Sequence, residues 1–170
     1  MYCLLTPQSS ARNAEKAVQA LNRLGFADHP VDPEPVLRDK RHYIRFHRTK
    51  AKRLLELKAA IPMVLDGVMT IHEPEALRDW LVANVKGLGY KEATHFLRNI
   101  GRNGELAILD RHILRNLKRF GAVRRLPKTL TKNQYLRLER SFQRLAKSLN
   151  IPPNELDLLF WSMETGEILK

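Results

Sequence analysis

The chain has 170 residues, 44% of them hydrophobic, enough to build one domain or two small lobes around a shared core and too apolar for intrinsic disorder. Cys3 is the only cysteine, which excludes an intrachain disulfide and a four-cysteine zinc or iron–sulfur site. Thirty Lys and Arg against 18 Asp and Glu leave a net charge of +12, which implies an anionic partner, nucleic acid first and an acidic membrane surface second.

Residues 1–10 are a short apolar start ending in Thr6, Pro7, Gln8, Ser9 and Ser10, the pattern of a helix end and a loop. Ala14, Ala17, Val18, Leu21 and Leu24 recur at helical spacing, with Ser10 as amino-terminal cap and Gly25 as stop, so a helix is predicted over 11–24. Three prolines interrupt the polar stretch 27–41, read as a connection with one helical turn at 35–39. From His42 onward Tyr43, Phe46 and His47 alternate with Arg48 and Lys50, leading into a helix predicted to run to Ala60 and to end at Pro62. Aromatics among cations suit base stacking and phosphate neutralisation, or equally a helix entry with core aromatics and solvated cations. Glu73 and Pro74 open a further helix to Val85, with proline near its permitted first position.

Gly87 and Gly89 bracket the turn that follows. Leu77, Trp80 and Leu81 before it, and Ala93, Phe96, Leu97 and Ile100 after it, keep the helical period. Glycines this close lift the β-carbon restriction, so the chain turns sharply and presents the leading amides of the second helix. Such a cluster of NH groups suits a phosphate. Lys91 stands in that first turn, where the positive end of the helix dipole disfavours an ammonium ion and an acid is the usual occupant. Asp110 closes the apolar run Leu106, Ala107, Ile108, Leu109 and precedes Ile113, Leu114, Leu117 and Phe120, the place of a helix cap.

Gly121 ends that helix, and a basic linker leads to Leu138, Phe142, Leu145 and Leu149, whose helix carries Arg137, Arg140, Arg144 and Lys147 on its outer face. Residues 111–147 hold twelve Lys or Arg and one acid, Glu139, so eleven of the twelve net positive charges fall there. A last apolar helix is predicted over 155–163. No strand alternation, repeat or low-complexity tract is present, and the fold class is expected to be all-α. No apolar run reaches the roughly 20 residues of a membrane span. With no basic leader at residues 1–6, a cytoplasmic chain is expected, nucleoid-associated in a prokaryote.

The run 86–101, KGLGYKEATHFLRNIG, followed by LAILDRHI at 106–113, resembles the helix-hairpin-helix DNA glycosylase superfamily, and within it the type 2 8-oxoguanine DNA glycosylase/lyases found largely in archaea and some thermophilic bacteria. The resemblance implies one helix-hairpin-helix glycosylase domain over 1–170, two helical lobes flanking a cleft, with the hairpin at 77–100 and helices 132–164 contributing to a base pocket. It puts Lys91 on the family's Schiff-base lysine and Asp110 on its catalytic aspartate. LLTPQSS at 4–10 resembles a stretch of endonuclease III-like glycosylases in which a glutamine fills the gap left by a flipped base, a role that falls on Gln8; an ordinary loop amide is the other reading. HYIRFHRTKAK at 42–52 resembles the family's Tyr-Arg-Phe and Ala-Lys segment, which includes Arg48. Gly87, Gly89, Tyr90 and Arg48 would then hold DNA.

A base inside a duplex is out of reach, so such an enzyme rotates the nucleotide into a pocket and grips the distorted DNA by its phosphates. The resemblance implies attack by the Lys91 amine on C1′, a Schiff base, stabilisation of developing sugar charge by Asp110, and β-elimination. The ending ELDLLFWSMETGEILK at 155–170 looks like the type 2 family's carboxy terminus. By that likeness Trp161 stacks on the flipped base, Asp157 lies beside it, and Lys170 with its terminal carboxylate tells 8-oxoguanine from guanine. The two bases differ at N7, a donor only in the oxidised one, so an acceptor there rewards the lesion. On spacing alone, with Leu158, Leu159 and Phe160 around it, core is the commoner place for Trp161. Ser162 and Met163 depart from the aromatic and lysine common in the family.

No side-chain metal site and no required cofactor are expected, since His42, His47, His72, His95 and His112 lack the company of zinc ligands. In the superfamily hairpin carbonyls often bind a monovalent cation; here these would be Ala83, Val85 and Leu88. The expected partner is double-stranded DNA containing oxidised guanine, bound by a monomer, with no membrane. The alternatives are a non-catalytic helix-hairpin-helix DNA-binding module, in which Lys91 meets phosphate and Asp110 only caps a helix, and a glycosylase for another damaged base.

Overall fold

A computed structural model describes residues 1–166. Among these the regular structure is helical, in the order α1 (Tyr2–Leu5), α2 (Ala11–Arg23), α3 (Glu34–Arg38), α4 (His47–Thr70), α5 (Pro74–Asn84), α6 (Tyr90–Asn99), α7 (Arg111–Arg119), α8 (Lys132–Leu149) and α9 (Pro153–Thr165), with a single 3₁₀ turn at Lys40–His42. The all-α expectation holds. The chain divides into two compact units, one comprising Met1–Ala93 and the other beginning at Thr94, so the boundary falls inside α6. Among the described residues no helix is long and apolar enough to cross a membrane.

In the first unit the core is built by α1, α2 and the entry to α4. Leu4, Leu5, Ala14, Ala17, Leu21, Phe26, Leu37, Ile44, Ala51 and Leu54 form one buried cluster. Ser10 caps α2 as read, its Oγ accepting from Asn13 N at 3.1 Å. Pro62, however, does not end α4. The helix continues to Thr70 with Pro62 exposed on its surface. Beyond the proline, Val64 and Gly67 are buried, and Gly67 lies flat against the Trp80 indole of α5: a Cβ there would sit 2.6 Å from the ring. That close packing holds the last two turns in helical form.

In the second unit α8 and α9 build the core with α7. Phe160 stacks on Phe120 at 5.3 Å between ring centres and meets Phe142 edge-on at 6.2 Å. α8 opens with a capping box: Thr131 Oγ1 accepts from Gln134 N, and Gln134 Oε1 accepts from Thr131 N. Residues Leu106, Ala107, Ile108 and Leu109 are buried and outside any regular element ahead of α7.

Candidate active site

The hairpin joins α5 to α6. Leu88 N donates to Val85 O at 3.1 Å, closing the turn, and Gly87 takes φ +96°, a conformation that side-chain-bearing residues avoid. Gly87 also packs closely, since a Cβ would stand 3.2 Å from Leu4 Cδ2 and 3.3 Å from Arg53 Cγ. Gly89, read from sequence as a second turn glycine, does not occupy the left-handed region; a Cβ there would meet only the Glu92 carboxylate, at 3.0 Å. One glycine makes the turn and the other leaves room for a side chain folded back over it.

α6 begins immediately beyond. Its ladder starts with Ala93 N donating to Gly89 O at 2.9 Å, so the leading amides of the helix point out of its amino-terminal end. Lys91 lies in this first turn, its side chain 27% exposed and its Nζ 3.7 Å from Glu92 Oε1. Glu92 supplies the acid that the helix dipole favours and at the same time holds the amine. Tyr90 is fixed by Asp79 Oδ1, to which its hydroxyl donates at 2.7 Å, and by the Arg78 guanidinium 5.2 Å from its ring centre. Below the turn, the Arg53 guanidinium beside Glu56 holds that carboxyl below the usual range, and Lys86 Nζ lies 3.9 Å from Glu56 Oε1.

In the second unit Asp110 caps α7, its Oδ1 accepting from His112 N at 2.8 Å and from Ile113 N at 2.9 Å. Among the described residues no donor is recorded on Oδ2. Cap and chemistry are therefore compatible: one oxygen fixes the carboxylate and the other remains an acceptor. The buried run before Asp110 is held by α8. Tyr135 Oη donates to Ala107 O at 2.6 Å and accepts from Leu109 N at 3.3 Å, while the buried Glu139 accepts from Ala107 N at 2.9 Å.

A family profile described as 8-oxoguanine DNA glycosylase matches residues 1–151. The chain belongs to that family. Similar proteins include the 8-oxoguanine DNA glycosylase/AP lyase of Fusobacterium nucleatum, 40% identical over 99% of this chain and 79% of its own length, and that of Korarchaeum cryptofilum, 37% identical over 100% and 80%. Among solved structures, the 8-oxoguanine glycosylase/lyase of Methanocaldococcus jannaschii in complex with a 15mer DNA containing 8-oxoguanine is similar at 35% identity, with a TM-score of 0.87 over 99% of this chain and 80% of that one.

The remaining residues that the glycosylase resemblance singles out lie as follows. Asp157 and Trp161 stand one turn apart on α9. Trp161 is half-buried and so is not core; the core position is taken by Phe160. Asp157 is buried and forms an ion pair with Arg98 of α6. Lys170 lies outside the described residues. Arg48 is 82% exposed on α4, its Nε 3.5 Å from Glu34 Oε1. Gln8 is exposed on the loop after α1 with φ +55°. Of the hairpin carbonyls, that of Val85 already accepts the Leu88 amide, leaving one lone pair for a ligand.

Two features at the entry to α4 have no signature of their own in the sequence. Phe46, at the entry to α4, is half exposed with φ +59°, a strained conformation for a bulky residue. Lys50, grouped in the sequence with solvated or phosphate-facing cations, is buried. Its Nζ donates to Leu5 O at 2.8 Å, Pro7 O at 2.6 Å and Ser9 Oγ at 3.2 Å. A mixed aromatic and basic segment was the only signal in sequence, and it does not tell which cation turns inward.

Proposed function

We propose that this chain removes 8-oxoguanine from double-stranded DNA and then nicks the strand, with Lys91 as nucleophile and Asp110 as its carboxylate partner. The observation that carries the reading is the pair of local frames. Lys91 sits at the open amino-terminal end of α6 behind a Gly87 turn, and Asp110 is locked as a cap with one oxygen left over. In the reaction the unprotonated amine forms a bond to C1′ as the N-glycosidic bond breaks, and the departing base takes up a proton. Positive charge developing on the sugar is met by Asp110. The C1′–O4′ bond of the sugar ring then breaks, O4′ taking up a proton released by the amine, and the resulting Schiff base acidifies the C2′ proton. Its removal expels the 3′ phosphate, and water then releases Lys91.

Glu92 must give up the amine before attack, and an incoming phosphate at the α6 amides is suited to draw that end of the helix toward DNA. Gly87, Gly89, Tyr90 and Arg48 are assigned to backbone grip and Gln8 to the gap in the stack. Trp161 and Asp157, with Lys170 at the carboxy terminus, are assigned to the flipped base. A monovalent cation at the carbonyls of Ala83, Val85 and Leu88 would bridge the hairpin to phosphate. The protein acts as a monomer in the cytoplasm, on the nucleoid.

Borohydride trapping on a duplex carrying a single 8-oxoguanine tests this. Wild type forms a covalent adduct and a nick; Lys91→Gln loses both while still binding the duplex, and an adduct retained in that variant rejects the assignment. Absence of any wild-type adduct would leave a DNA-binding module. Asp110→Asn keeps a side-chain oxygen at the cap, so stability changes by less than about 1 kcal/mol while single-turnover excision slows. A large loss of thermal stability with unaltered chemistry would make Asp110 a cap alone.

A further inference from the structure

The loop Thr6–Ser10 carries an exposed glutamine in a left-handed backbone conformation, φ +55°, and that strain persists only where the surroundings fix it. What fixes it is a buried lysine more than 40 positions away in sequence. Lys50 Nζ holds Leu5 O and Pro7 O, the carbonyls on the near side of Gln8, and Ser9 Oγ on the far side. Ser9 Oγ in turn accepts from Arg45 N at 3.0 Å, tying the loop to the turn where Phe46 takes its own left-handed conformation. All three acceptors of Lys50 are neutral. A buried lysine is costly beside an apolar residue of similar length, and this one spends every donor on two carbonyls and one hydroxyl that flank a single strained, exposed side chain.

We propose that Lys50, with Ser9 as its shared acceptor, is a positioning residue for base extrusion: it holds the Gln8 loop rigid so that the glutamine is presented to the duplex already in place to fill the vacated stack. The proposal rests on Gln8 as the wedge. Inserting a side chain into stacked bases gains most when the side chain is pre-ordered, because ordering a free loop during insertion would consume part of the interaction. Lys50 touches neither the sugar nor the base and acts only through the loop.

The test is single-turnover excision by the full chain on two duplexes, one with 8-oxoguanine paired to cytosine and one with the lesion facing a tetrahydrofuran abasic analogue, where no pairing resists extrusion. A 2-aminopurine beside the lesion reports unstacking. Lys50→Met and Ser9→Ala are expected to slow excision of the paired lesion roughly tenfold or more and to shrink the fluorescence rise, with a loss below about threefold on the unpaired lesion. In a Gln8→Ala background neither change adds a further loss on the paired lesion. Equal losses on both duplexes, or full additivity with Gln8→Ala, would overturn the proposal, since a merely structural lysine lowers activity on every substrate alike. Should Lys50→Met not fold, Ser9→Ala decides. Gln8→Ala without effect on either duplex removes the wedge reading itself, a result distinct from failure of Lys50.

Discussion

A lysine enclosed by neutral acceptors carries an energetic signature of its own. Burial pushes Lys50 down to about 8, against 10.5 in the open chain, and no carboxylate stands among its hydrogen-bond partners. Between those two values the unfolded chain binds the extra proton, so stability rises with pH through that window; below pH 8 the cost of keeping the ammonium inside is present in full. The gain is expected to be on the order of 1–3 kcal/mol by pH 10.5. Denaturation of wild type and Lys50→Met across pH 7 to 10.5 isolates it, since other titrating groups are common to both chains. A difference that stays flat would mean that Lys50 keeps its proton throughout. Sequence could not have indicated this. The charge of Lys50 is visible in the chain, but the carbonyls that take it inside belong to residues 5 and 7, and only folding makes them neighbours. Asp110 was half legible for a similar reason: its place before an apolar helix reads as a cap, and the cap, with Oδ1 bearing both amides, is what the structure contains.

Elements that depend on periodicity and local punctuation were legible. The helix ended by Gly25 and the turn at Gly87 appear where apolar spacing and breakers place them. The errors arise where packing overrides local preference. Pro62 fails to stop α4 because Gly67 against Trp80 rewards two more helical turns. The apolar run 106–109 was legible as an approach to Asp110, but not its partners, Tyr135 and Glu139, which lie some thirty residues later. The two hairpin glycines, alike in sequence, separate at this scale. Gly87→Ala forces a Cβ into a φ of +96° and against Leu4 and Arg53, at a cost of about 1–3 kcal/mol. Gly89→Ala need only displace the tip of Glu92, and about 1 kcal/mol or less is expected. Thermal melts of the two variants compare them directly. Equal destabilisation would mean that the turn does not depend on the left-handed position.

At the scale of the molecule, charge is sorted sharply. All twelve Lys and Arg of residues 111–147 are exposed, whereas the single acid of that stretch, Glu139, is buried and spent on Ala107 N. The outward surface of the segment is therefore purely basic, relieved mainly where Arg115 pairs with Glu164. Arg140, Arg144 and Lys147, together with Glu105, also line a concavity of about 710 Å³ at the end of α8. A polyanion that meets such a surface releases condensed counterions, and the logarithm of affinity falls with the logarithm of salt by about 0.9 for each phosphate neutralised. Replacing Arg137, Arg140, Arg144 and Lys147 together by Gln is expected to lower that slope by roughly 2 to 4 and to weaken binding to damaged and intact duplexes alike, because phosphate contacts carry no base information. Single-turnover excision at saturating enzyme should be unaffected, since these side chains act on encounter and not on the sugar. Fluorescence anisotropy across a salt series measures the slope, and an unchanged slope in the fourfold variant would make the outer face of α8 a solvated surface with no part in gripping DNA.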